Sequence, residues 1–211
     1  MTEQPPPDET QPMGSGQPAA TSAGDPLVEW AIPETRPVPG RRQIVYADTP
    51  NRVIAYIVDL IAVGIIAIGA GLVLVLAFAA GTGSANVSSP LFSLIFNVVT
   101  ALILLAYFLN GWTSRRATIG MRWLGLQIGN ATDGATLTVE QGIRRYAALF
   151  GPSVVYEFLS PLGAGVAVLL GLLSFVWVVY LLIDTARSPT KQGFHDRFAN
   201  SLVVKVTRAP T

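Results

Sequence analysis

The sequence predicts an all-α membrane protein with four transmembrane helices, a small cytoplasmic β-hairpin insert and a disordered N-terminal tail. Hydrophobic residues make up 51% of the chain and charged residues 13%, against roughly 25% charged residues in an average soluble protein. Apolar segments long enough to span a bilayer recur after residue 50. An Asp-Gly pair between two alternating segments predicts the hairpin, and a proline-rich start predicts the tail.

The tail, residues 1–40, is acidic and poor in apolar side chains. It contains nine prolines and a net charge of −5, whereas residues 41–211 carry a net charge of +6. The apolar surface of this segment is too small to offset the entropy lost when the chain becomes ordered. We therefore expect residues 1–40 to be disordered. A segment around Trp30 that binds a partner is the alternative interpretation.

Apolar patterning predicts helices at about residues 52–80, 90–110, 142–160 and 162–184. The third segment is the shortest and carries Pro152 and Glu157. If it only enters the membrane and returns, the number of crossings falls to three.

Lysine and arginine predict the orientation. The basic residues beside the apolar segments lie before the first segment, between the second and third, and after the fourth, whereas residues 81–90 and 159–163 contain none. Under the positive-inside rule the three basic regions are cytoplasmic. An even number of crossings follows, with both termini in the cytoplasm.

The cytoplasmic insert, at about residues 122–140, alternates apolar and polar positions on both sides of Asp133-Gly134. We expect strands near Leu124–Ile128 and Ala135–Val139. A two-stranded hairpin is marginally stable alone, so it should pack on the bundle or on lipid headgroups.

Asp59 is the one charge within the first apolar segment, and Arg52 precedes it by seven residues. On a helix this spacing places both on nearly one face, about 10 Å apart along the axis. A carboxylate at bilayer depth costs roughly 2.5 to 3.5 kcal/mol on insertion scales, so it is a candidate functional group. Tyr56, one turn from both, could support it by donating a hydrogen bond.

Three stretches of the membrane body, residues 45–206, carry a recognisable pattern: NRVIAYIVD, ATIGMRWLGLQI and GFHDRFANSLVV. Through them this body resembles the RDD proteins of bacterial membranes, and the resemblance implies a location in the bacterial plasma (inner) membrane. The resemblance also implies that Arg52, Asp59 and Asp196 are the family's defining arginine and aspartates. Arg144 or Arg145 matches a further arginine, and His195 adjoins the second aspartate.

The chain departs from the family pattern at two places. Met121-Arg122 stands where the family's lysine directly follows glycine, and Asn200-Ser201 stands where Gly-Thr is usual. The last residues, 207–211, lie beyond the resemblance.

Two classes of function remain open. In the first, the Arg/Asp site moves a proton, a monovalent cation or a small polar solute across the bilayer; the resemblance implies sodium/proton exchange as one candidate. In the second, the same residues are structural, and the protein is a scaffold or assembly adaptor that binds a membrane protein or a second copy of itself. No enzyme is predicted, because the sequence contains no phosphate loop, H-E-x-x-H motif or catalytic-triad spacing. No cofactor or metal site is predicted either, since the chain has one histidine and no cysteine. Nucleic acid is not an expected partner.

Overall fold

The computed structural model describes residues 42–84 and 86–208, and this part of the chain is mostly helical. The long helices are α1 (Thr49–Thr82), α2 (Pro90–Thr113), α4 (Val139–Leu159) and α5 (Ala164–Arg187). Two short helices, α3 (Ile119–Trp123) and α6 (Phe194–Phe198), follow α2 and α5. A 3-10 turn, Ser160–Leu162, joins α4 to α5. The strands are β1 (Arg42–Tyr46), β2 (Leu126–Asn130) and β3 (Ser201–Arg208).

Local chemistry fixes the helix ends. The hydroxyl of Ser89 accepts a hydrogen bond from the backbone N–H of Phe92 at the start of α2. Thr138 and Gln141 form a capping box at the start of α4. At the end of α1, Gly83 adopts a φ of 72°, a left-handed conformation that glycine adopts without strain.

The four long helices form an antiparallel bundle in which α2 packs on α1 and on α4, and α4 packs on α5. Phe96 of α2 lies against Gly71 of α1. Asn97 donates a hydrogen bond to the carbonyl of Glu157 in α4 at 3.2 Å, and the indole of Trp177 in α5 donates to Ala148 at 2.9 Å. By length and composition, α1, α2 and α5 could each cross a membrane. The helix α4 is long enough, but it carries more charged residues and is less apolar than these three.

A three-stranded antiparallel sheet in the order β1-β3-β2 closes one end of the bundle. Tyr46 of β1 pairs with Val204 of β3, and Ile128 of β2 pairs with Val203. The sheet therefore brings together three parts of the chain: the segment before α1, the segment between α2 and α4, and the segment after α5. We call this sheet, together with α3 and α6, the cap.

The protein is mostly helical as predicted, but its β-structure is a three-stranded sheet and not a β-hairpin at 122–140. The first predicted strand, Leu124–Ile128, overlaps β2, whereas the second, Ala135–Val139, is wrong. The turn exists, since the backbone N–H of Asn130 donates to Ala135 at 2.8 Å. However, residues 135–138 form no strand, and Val139 begins α4. Arg116 occupies the edge of β2 where the second strand would pair: its carbonyl accepts from Ile128 at 2.7 Å, and its guanidinium donates to Gly134. The opposite edge of β2 pairs with β3, which is more than sixty residues away in sequence.

The predicted disordered tail, residues 1–40, lies outside the described residues, as do residues 209–211.

Gly120 allows α3 to approach the backbone of α1. A Cβ at this position would overlap the carbonyl oxygen of Ala55 and lie 2.9 Å from its carbonyl carbon. We therefore expect Gly120→Ala to lower the free energy of unfolding by about 1 to 3 kcal/mol, as overpacking commonly does. Thermal unfolding in detergent would measure this change.

Gly64→Ala is the matched control, because a Cβ at that position of α1 meets nothing within 4 Å. Equal unfolding temperatures for the two variants would contradict the close approach of α3 to α1.

Candidate functional site

Asp196 is fully buried and lies between two arginines. Its Oδ2 accepts a hydrogen bond from Arg52 at 2.6 Å, and its Oδ1 pairs with Arg145. The backbone N–H of Gly193 donates to Oδ2 at 3.2 Å, and the hydroxyl of Ser201 lies 3.4 Å from Oδ1. The carboxylate thus receives donors from α1, from α4 and from its own end of the chain. We call these residues the Asp196 centre.

Arg52 links the start of α1 to the sheet as well as to Asp196. Its Nε donates to the carbonyl of Ala47 at 3.0 Å, and a terminal nitrogen donates to the carbonyl of Val203 at 3.2 Å. The planar guanidinium presents donors in several fixed directions. One side chain therefore holds the β1–α1 junction, β3 and α6 in register.

Arg145 approaches Asp196 from the first turns of α4. It also donates to Ser201 at 2.7 Å, and its guanidinium carbon lies 5.1 Å from the ring centre of Trp112. This cation–π contact adds an attraction from α2. Arg144 points elsewhere: it pairs with Glu140 across one turn, and both side chains are exposed.

Burial and charge act in opposite directions on Asp196. Burial alone would raise the pKa of this carboxyl, but the adjacent charges of Arg145 and Arg52 hold its pKa well below the usual range. Burial also lowers the pKa of His195 to about 4. The imidazole is therefore neutral near pH 7, while Asp196 is ionised.

Asp59 forms a second centre, deeper in the bundle. Its Oδ1 accepts hydrogen bonds from the phenol of Tyr107 at 2.5 Å and from the backbone N–H of Gly120 at 2.7 Å. Its Oδ2 accepts from the hydroxyl of Thr118 at 2.5 Å. We call these residues the Asp59 centre. It joins α1 to α2 and to the start of α3.

The structure therefore brings Arg52 and Asp196 into contact and gives Asp59 a separate set of partners. The phenol that bonds to Asp59 belongs to Tyr107, whereas the ring of Tyr56 packs against Phe108 and Phe150. Both centres nonetheless border one cavity, which is lined by Arg52, Asp59, Arg145 and His195 among others. Among the described residues, no group of three or more His, Cys, Asp or Glu side chains could hold a metal ion.

Sequence reasoning assigned no role to Thr118, Gly120, Ser201 or Tyr107. Thr118 and Gly120 are the threonine and glycine of the stretch ATIGMRWLGLQI, so its T-x-G pattern carried a usable signal. Ser201 retains a hydroxyl where the family pattern usually has threonine, and Asn200 adopts a φ of 48°, a conformation that asparagine tolerates better than most residues. Tyr107 carried no such signal, because a tyrosine within an apolar span is often a membrane-interface residue.

The neutral His195 predicts a loss of stability in mild acid. Its folded pKa of about 4 lies below the ordinary value of 6.5, so the unfolded chain binds more protons between these values. The contribution of the neutral imidazole to the free energy of unfolding is fully present above pH 6.5. It falls by about 3 kcal/mol as the pH drops to 4. Asp196 loses its contribution only below the ordinary carboxyl pKa of about 3.9, so the two pH windows are distinct.

Denaturant unfolding in detergent at pH 7.5, 6, 5 and 4.5 measures how the free energy of unfolding changes with pH. The variant His195→Gln serves as the comparison. We expect the wild type to lose stability more steeply than the variant across the window. If the free energy of unfolding fell equally with pH in the wild type and in the variant, the neutral, buried imidazole would be contradicted.

A family model described as the RDD family matches residues 46–200 of the chain. No curated protein and no solved structure matches the chain. The matched range begins at the end of β1 and includes Arg52, Asp59, Arg145 and Asp196. The chain belongs to the RDD family.

Proposed function

We propose that the protein is a four-span, non-enzymatic scaffold of the bacterial plasma membrane, with its cap and both termini in the cytoplasm. The observation that carries the proposal is that both buried carboxylates are engaged by donors of the protein itself. An ion that passed through either centre would have to displace these donors. The simplest role for them is to hold the cap on the bundle.

The sheet supports four crossings even though α4 is the least apolar of the long helices. β2 precedes α4 and β3 follows α5, and these strands pair with each other. The pair α4–α5 must therefore leave the cap and return to it. Since α5 is long and apolar enough to span, its first residue lies on the far side, and α4 has to carry the chain there. Its 21 residues extend about 31 Å at 1.5 Å per residue, close to the thickness of a bilayer's hydrocarbon core.

The distribution of charge supports a cytoplasmic cap. Within the described residues, 42–84 and 86–208, the cap and its junctions with the helices carry many lysines and arginines, while the turns at the opposite end carry none. The positive-inside rule then orients the bundle. Exposed Trp123 in α3 and Phe198 in α6 each adjoin an arginine, Arg122 and Arg197. Such aromatic and basic pairs suit the headgroup region.

Transport is the second candidate, and the cavity shared by the two centres favours it. Arg52, Asp59 and Arg145 all border that space, and an intramembrane carboxylate near arginine suits an ion relay. Against this candidate, α1 carries no charged residue between Asp59 and its end at Thr82. The distinction can be made by experiment.

The topology predicts which side of the membrane each turn faces. In this cysteine-free chain, single cysteines at Ser84, at Leu162 in the α4–α5 turn and at Asp133 in the turn that follows β2 report the three positions. We expect Ser84→Cys and Leu162→Cys to react with an impermeant maleimide from outside intact cells, and Asp133→Cys to react only after lysis. Reaction of Leu162→Cys from the same side as Asp133→Cys would contradict four crossings.

Ion flux separates the scaffold from the transporter. Purified full-length protein in vesicles should give sodium and proton fluxes equal to those of empty vesicles, and Asp59→Asn should leave them unchanged. A pH-sensitive dye and a sodium-sensitive dye inside the vesicles would measure both fluxes. A flux that the wild type supports and Asp59→Asn abolishes would reject the scaffold in favour of transport.

A further inference from the structure

The short helix α3 packs one side against α1 and leaves the other side uncovered. Gly120 is buried against the backbone of α1. By contrast, Ile119 and Trp123 are 42% and 77% exposed, and Arg122 is exposed as well. Residues three and four positions apart share one side of a helix, so Ile119 lies beside both Arg122 and Trp123. We call these three residues, together with the exposed Arg115 in the turn before α3, the α3 surface.

The two helices that hold α3 place it at the edge of the hydrocarbon core. The backbone N–H of Gly120 donates to Asp59 of α1 at 2.7 Å. The backbone N–H of Ile119 donates to the phenol oxygen of Tyr107 in α2 at 3.3 Å. From these contacts, α1 extends about 35 Å to its far end and α2 extends about 26 Å to its far end. The two lengths bracket the roughly 30 Å of a bilayer's hydrocarbon core, so with the far ends at one surface, α3 lies at the other.

The stretch of α1 at the level of α3 presents apolar side chains outward. Ile54, Ile57 and Ile61 are each about half exposed, and lipid chains are the surroundings that suit them. Trp123 adds an indole, a ring that is enriched where lipid chains meet headgroups. The α3 surface therefore has both the position and the composition of a membrane-interface segment.

The positive charge of the α3 surface is not balanced within the described residues, 42–84 and 86–208. Neither Arg115 nor Arg122 forms an ion pair there. Arg144, which is also exposed, does form one, with Glu140 one turn away on α4. The α3 surface thus offers two guanidinium groups to an external anion. Attraction to that anion is stronger at the edge of an apolar medium than in bulk water.

We propose that the α3 surface binds the headgroup of an anionic phospholipid in the leaflet next to the cap. A guanidinium can donate two parallel hydrogen bonds to the oxygens of one phosphate, which gives Arg122 its role and Arg115 a supporting one. Ile119 and Trp123 then contact the first carbons of the lipid chains. The depth of α3 favours a lipid over an acidic protein segment. The proposal goes beyond the scaffold role, since headgroup binding is compatible with both candidate functions.

Quenching of Trp123 by brominated lipids tests the proposal in the full-length protein. The protein is placed in nanodiscs of phosphatidylcholine that contain the same fraction of either brominated phosphatidylglycerol or brominated phosphatidylcholine. Bromine atoms on the chain carbons nearest the headgroup quench only indoles close to them. The emission of Trp123 is the difference between the protein and its Trp123→Phe variant. We expect brominated phosphatidylglycerol to quench this emission at least three-fold more than brominated phosphatidylcholine does.

Two exposed arginines provide the matched variants, each measured with and without Trp123→Phe. Arg122→Gln removes an unpaired charge of the α3 surface and should abolish the preference for phosphatidylglycerol. Arg144→Gln removes a charge that is already paired with Glu140, and the preference should remain. Since Arg122 is exposed, its replacement should leave the thermal unfolding temperature unchanged, which verifies that the loss of preference is not a loss of fold.

Equal quenching by the two brominated lipids would overturn the proposal, because the α3 surface would then contact lipid without selecting its headgroup. A preference that survives Arg122→Gln would overturn it as well. If neither lipid quenched Trp123, the α3 surface would lie outside the bilayer, and an acidic protein segment would be its partner. Quenching reports only on the surroundings of Trp123, so its outcome is independent of the ion-flux test of the scaffold.

Discussion

The ion pairs of Asp196 with Arg52 and Arg145 are the interactions on which the remaining structure depends. A carboxylate that is fully buried is costly unless charges and donors offset its lost hydration. Here the donors come from the start of α1, the start of α4 and the end of the chain. The requirement to satisfy one anion therefore fixes three segments that are distant in sequence. Arg52 extends the constraint to the sheet through Val203.

The Asp59 centre fixes a different part of the cap. Thr118 and Gly120 bind the carboxylate at the beginning of α3, and Tyr107 does so from α2. The loop that follows α2 is thereby held against α1 before β2 begins. Asp59 positions the segment between α2 and α4, and Asp196 positions the segment after α5. The cavity lies between the two centres, where neither fills the space.

Sequence patterns predicted the apolar helices and the basic regions because hydrophobicity and charge are local properties. Arg52 and Asp59 were singled out as candidates because they are charged groups at the start of an apolar segment, and Asp196 because of the family resemblance; the structure shows that both aspartates are buried. Sequence patterns missed the sheet, since β1 and β3 pair across more than 150 residues and no local pattern encodes that pairing. The same reason explains the wrong hairpin: the turn at Asp133-Gly134 is local, but the partner of β2 is not. The partners of Asp59 were missed because hydrogen bonds from Tyr107 and Thr118 depend on tertiary packing.

The central claim is that Asp196 holds α1 and the cap together through Arg52, and a double-mutant cycle tests it most directly. Arg52→Met, Asp196→Asn and the double variant would be unfolded in detergent at pH 7.5. We predict that Arg52→Met alone lowers the free energy of unfolding by about 3 to 5 kcal/mol, as breaking a buried pair does. The double variant should lose less than the sum of the single losses, with a coupling of about 1 to 3 kcal/mol. Additive losses, with no coupling between the two positions, would contradict the account.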